Sequence, residues 1–107
     1  MYVKNSEKEY KDIGGGVQRK VLAYSDSLMN VELLFKAGAE GEMHKHPHEQ
    51  IGYVIEGKLI FHEEGKPDII LFAGDSYIVA PNVMHGITCL TNVKLLDIFT
   101  PKREDFI

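Results

Sequence analysis

The chain is built from short stretches in which apolar and polar residues alternate. Met29, Val31, Leu33 and Phe35 fall on one side of an extended segment, with Asn30, Glu32 and Leu34 on the other. A period of two is the mark of a strand with one buried face. The same reading predicts strands over Val17–Tyr24, Gln50–Glu56, Lys58–His62, Asp68–Phe72, Ser76–Ala80, His85–Cys89 and Val93–Thr100. Between them lie Glu56-Gly57-Lys58, Glu64-Gly65-Lys66-Pro67, Ala73-Gly74-Asp75, Pro81-Asn82 and Leu90-Thr91-Asn92. Glycine permits positive φ, proline fixes φ and asparagine tolerates the left-handed region, so these are turns. About eight short strands at such spacing predict an all-β sandwich or barrel. Gly14-Gly15-Gly16 reads as a flexible lead-in to the first strand. No amphipathic helix is evident, and Lys102–Ile107 is expected to form a short terminal turn.

The 107 residues make one domain, with the barrel core over about residues 17–100. The hydrophobic fraction is 44% and the charged fraction 26%, as in soluble globular proteins. A net charge of −4 gives no basic face for nucleic acid. It does not exclude an anionic ligand, because a metal or a placed arginine reverses the sign locally. No apolar run is long enough to span a membrane. The start, Met1-Tyr2-Val3-Lys4-Asn5-Ser6-Glu7, lacks the apolar stretch of a signal peptide, and the single cysteine, Cys89, permits no intrachain disulfide. These features predict a cytoplasmic protein.

Four of the five histidines gather in two places: the run His44-Lys45-His46-Pro47-His48-Glu49-Gln50, and His85. On an extended segment His44 and His46 point to the same side, and Gln50 shares their parity. Two imidazoles and an amide oxygen supply three corners of a metal site, which His85 can close from another strand. Imidazole suits Zn, Fe, Ni, Mn or Cu. A lone strand histidine is usually a surface residue, and His62, in register with Lys58, is read that way. Four donors in one pattern favour a metal. Cys89 is read as a small buried apolar residue.

These motifs resemble the cupins. Gly38-x5-His44-x-His46-x3-Gln50-x6-Gly57 is similar to the first cupin motif, with Gln50 where glutamate is commonest. Gly74-Asp75 followed by Pro81-Asn82-Val83-Met84-His85 is similar to the second, with Val83 in place of the usual glycine. The resemblance implies a double-stranded β-helix, or jelly-roll barrel, with one divalent metal (Ni, Zn, Fe or Mn) on His44, His46, Gln50 and His85. Glutamine in place of glutamate removes one negative charge, which favours Lewis-acid over redox chemistry.

Three stretches extend the resemblance to the pectin-degradation cupins: Arg19-Lys20-Val21-Leu22-Ala23-Tyr24, His-x-His-Pro-His-Glu-Gln, and Leu96 through Phe106. It implies conversion of 4,5-unsaturated uronates, released from pectin or alginate, to linear ketouronates. It places Asp97 and Phe99 in the pocket and Arg103 at its mouth, as the residues acting beside the metal. The residues alone leave more open. Leu95, Asp97 and Phe99 share a face, and a carboxylate there is costly unless paired or functional. A salt bridge, core packing and a solvated charge are the plain alternatives for Asp97, Phe99 and Arg103. Two rival functions also stand: a non-catalytic cupin binding a sugar or small acid, and an oxygen-using cupin dioxygenase. The expected partners are a sugar-acid substrate and a second copy of the chain, since exposed edges of a small barrel invite pairing.

Overall fold

The computed structural model describes residues 1–107. Ten strands form two antiparallel sheets: β1 (Lys11–Gly14), β2 (Val17–Tyr24), β3 (Met29–Phe35), β4 (Glu40–His44), β5 (Glu49–Glu56), β6 (Lys58–Glu63), β7 (Ile69–Phe72), β8 (Ser76–Val79), β9 (His85–Cys89) and β10 (Val93–Thr100). The six-stranded sheet runs β1-β2-β3-β10-β5-β8 and the four-stranded sheet β4-β9-β6-β7. Short 3-10 turns at Asn5–Glu7 and Glu104–Phe106 complete the chain. The all-β expectation holds.

The strands with clean alternation fall where the pattern predicts. Val93, Leu95, Asp97 and Phe99 of β10 are buried, while the residues between them are half-exposed. Met29, Val31, Leu33 and Phe35 of β3 face the same interior, opposite Leu59 and Phe61 of β6 and Ile87 and Cys89 of β9. Two strands were missed, β1 and β4. They are edge strands with almost no buried side chain, so they carry no alternation to read. Gly14-Gly15-Gly16 is no loose lead-in: it closes the β1–β2 hairpin, with Gly14 paired to Val17 and positive φ at all three glycines.

A close backbone approach aligns the site. A Cβ on Gly86 would lie 2.6 Å from the Gly41 carbonyl oxygen. Without one, β4 runs tight against β9 and His44 becomes the cross-strand partner of His85. On the outer face of the larger sheet, Asn5 ties the N-terminal segment down. Its Nδ2 donates to Glu32 at 2.6 Å, and its Oδ1 accepts from Lys20 at 2.9 Å.

Cys89 is 1% exposed, and burial pushes its thiol up to about 11. A disulfide-exchange reagent at about pH 8 is therefore expected to leave the native protein unlabelled and to label it fully in denaturant. Rapid labelling of the native protein would contradict this burial.

Candidate metal centre and active site

Four loops and strands converge at one end of the barrel interior. His44 ends β4, His46 sits in the following loop, Gln50 opens the inward face of β5 and His85 opens β9. One ring nitrogen from each of His44, His46 and His85 lies within 4.8 Å of the other two. The expected donors are thus brought together, although His44 and Gln50 belong to different strands and not to one extended segment.

The orientation of each ring is fixed from behind. The Nδ1 of His44 donates to the Glu42 carbonyl at 2.7 Å, that of His46 to the His48 carbonyl at 3.0 Å, and that of His85 to the Val83 carbonyl at 2.9 Å. A carbonyl only accepts, so each Nδ1 carries a proton, and in the neutral ring Nε2 keeps its lone pair. Backbone partners of this kind are what orient metal-binding histidines. The buried His85 Nε2 has no hydrogen-bond partner. The His46 Nε2 faces Gln50 Oε1 at 2.9 Å, one acceptor against another. Burial, together with the neighbouring Arg103 and imidazoles, holds His46 and His85 below the ordinary imidazole range, so both are neutral. The inward-facing lone pairs of His46 and His85, the latter without a partner, set beside the His44 ring and the Gln50 oxygen, fit a divalent cation; the triad could hold one.

Beside this set a cavity of about 580 Å³ opens toward the C-terminal turn. Gln50, Tyr77, Asp97, Phe99 and Arg103 are among its walls. Asp97 is 8% exposed. Burial pushes its carboxyl up to about 7, against contributions from Gln50, Tyr77 and Arg103 that favour the anion. It makes no salt bridge; its resolved hydrogen bond comes from the Tyr77 hydroxyl at 3.3 Å. Phe99 is buried, edge-on to the rings of His46 and Phe106. Arg103 is half-buried. Its Nε and Nη2 donate to Asp105 at 3.0 and 2.8 Å, and its guanidinium lies 4.3 Å from the Phe106 ring centre. Arg19 of β2 lies 3.9 Å from the same ring. The C-terminal turn is therefore folded over the cavity and clasped from both sides of the chain.

His62 lies elsewhere. On the outer face of β6 it bridges Asp68, at 2.9 Å, and Thr88, at 2.8 Å. Tyr77 and Phe106 are cavity residues that sequence reasoning passed over. Tyr77 looks like any inward strand aromatic, and Phe106 lies beyond the last strand, where periodicity gives no direction.

A jelly-roll barrel with three histidines and a glutamine pointing inward at one end defines the class. The cupin domain family matches residues 31–99, and the chain belongs to the cupins. Over almost its whole length it is similar to the pectin degradation protein KdgF of Dickeya dadantii (strain 3937). The two are 41% identical over 108 residues, spanning 99% of this chain and 97% of that one. The crystal structure of an RmlC-like cupin from Shewanella frigidimarina superposes with a TM-score of 0.95 at 42% identity, covering 99% of this chain and 95% of that one. The structure of KdgF from a Halomonas species superposes at 0.94 with 35% identity, covering 100% and 98%. No helix is long and apolar enough to cross a membrane.

Proposed function

We propose that this cupin converts 4,5-unsaturated uronate monosaccharides, of the kind released from pectin or alginate, to linear ketouronates, using one divalent metal. The observation that carries the reading is Asp97: a buried carboxyl poised near neutrality in the wall of a cavity lined also by His44, Gln50 and His85. Similarity to KdgF supports the substrate class.

The metal would be held by His44, His46, Gln50 and His85, and would supply Lewis-acid polarisation of substrate oxygens. Asp97 takes the proton from the anomeric hydroxyl. The bond between the anomeric carbon and the ring oxygen breaks, an aldehyde forms at the anomeric carbon, and the ring oxygen becomes that of an enolate. Asp97 then delivers the proton to C4, giving the open-chain ketone with no net gain or loss of atoms. A carboxyl near neutrality serves both halves of such a transfer. Arg103 holds the substrate carboxylate, for which a planar guanidinium is suited. Phe99 packs against His46 and walls the reacting carbons from water.

A proton NMR time course tests this with unsaturated galacturonate, guluronate or mannuronate monomers, with and without metal-loaded protein. The vinylic signal is expected to decay faster with protein as open-chain product appears. Equal decay with tight binding would instead make it a sugar-acid-binding cupin. Oxygen uptake would make it a dioxygenase.

The reading includes a homodimer. Ile51 and Tyr53 of β5 and Ile78 of edge strand β8 lie exposed on one outer face. An apolar face beside a free edge suits pairing with a second copy. Light scattering at micromolar concentration should give twice the 12.1 kDa chain mass; a monomer would remove the dimer.

A further inference from the structure

Gly52 lies in the middle of β5 with no call on glycine's backbone freedom, because its φ is not positive. Glycine inside a strand weakens it and often marks a place where another group comes close. Here that group is a side chain. A Cβ on Gly52 would stand 2.2 Å from Cζ of Tyr77 and 2.6 Å from its hydroxyl oxygen. Tyr77 is the cross-strand partner of Gly52 on one side, and Asp97 is its partner on the other. The three residues form one row across β8, β5 and β10. Outer strands of such a trio are about 9.5 Å apart, and a side chain crosses that gap only if the middle position is empty. The Tyr77 ring uses the vacancy. It stacks on Phe61 of the opposite sheet at 4.3 Å and 18°, and its hydroxyl reaches Asp97 Oδ1.

From this row we infer that Tyr77, admitted by Gly52, is the positioning residue of Asp97. It engages Oδ1, and the Gln50 amide acts on the same carboxylate. The inference rests on the function proposed above and deepens it. The 3.3 Å contact is long, as such bonds often are before substrate is bound. The phenol hydroxyl donates to the carboxylate oxygen, which only accepts.

The test uses the metal-loaded full chain and unsaturated galacturonate monomer. Tyr77→Phe keeps the ring against Gly52 and Phe61, so fold and metal content should persist. Loss of a hydrogen bond to a charged group should lower kcat about ten- to hundredfold, with KM little changed. Gly52→Ala should do the same by displacing the ring. In an Asp97→Asn background, Tyr77→Phe should lower kcat no further. An unchanged kcat in Tyr77→Phe would overturn the inference, as would an equal fold-loss in the Asp97→Asn background. A readout without turnover separates this inference from the proposed function. In protein carrying ¹³C-labelled tyrosine, the Tyr77 ζ-carbon resonance should move in Asp97→Asn and in Gly52→Ala. If it moves while the wild type fails to turn over uronate, the positioning stands and the substrate reading falls. If it stays still in Asp97→Asn, the positioning falls whatever the kinetics.

Discussion

Asp97→Asn is expected to lose ~10²–10⁴-fold in turnover per metal-loaded molecule, the range that general acid–base groups contribute. The amide keeps the volume and hydrogen-bonding reach of the carboxyl but cannot accept the anomeric proton. A second readout follows from burial. The native carboxyl is raised from 3.8 to about 7, so the folded state holds its proton where the unfolded chain has lost it. The resulting destabilisation is absent below about pH 4, grows as pH rises toward 7 and is full above it. Metal-free Asp97→Asn should therefore melt several degrees above the wild type at about pH 8, with the gap closing near pH 4. Near-normal turnover would remove the proton-transfer role. A lower melting temperature at every pH would mean that the carboxylate is a structural anion.

His85→Ala should leave little metal in the purified protein. It deletes the buried Nε2 that has no protein partner and leaves His44, His46 and Gln50, of which His44 is exposed. Added metal stabilises a native state in proportion to the logarithm of its concentration over Kd. The wild type should thus gain several degrees in melting temperature with a divalent metal, and His85→Ala should gain almost none. Disturbing the partners that orient metal ligands commonly costs ~10–100-fold in affinity, and loss of a ligand should cost at least as much. Stoichiometric metal by elemental analysis of His85→Ala would refute the donor set.

Much of this was legible because a buried face leaves a period. Val17–Tyr24, Met29–Phe35, His85–Cys89 and Val93–Thr100 run in the structure as read from the pattern. β1 and β4 were not, because strands with exposed side chains on both faces leave no period, and Lys11-Asp12-Ile13-Gly14 offers one apolar residue in four. The histidine cluster could be picked out by residue type and spacing. What orients its rings, the backbone carbonyls of Glu42, His48 and Val83, could not. Asp97 stood out as a carboxylate on an apolar face. Its link to Tyr77 did not, because it depends on the register of three strands and on a glycine that, read alone, looks like a flaw in β5.

The carbonyls behind the three imidazoles have a calorimetric consequence. His46 and His85, held below the ordinary imidazole range, carry their single proton on the nitrogen turned away from the centre, so metal uptake has no proton to expel from them and no tautomer to convert. Sites that do expel protons pass them to the buffer and add its ionisation heat to the measured enthalpy. Here those two rings should add nothing to the buffer dependence, so at about pH 8 the heats of uptake in phosphate and in Tris should lie close together, although those buffers differ widely in the heat they release on accepting a proton.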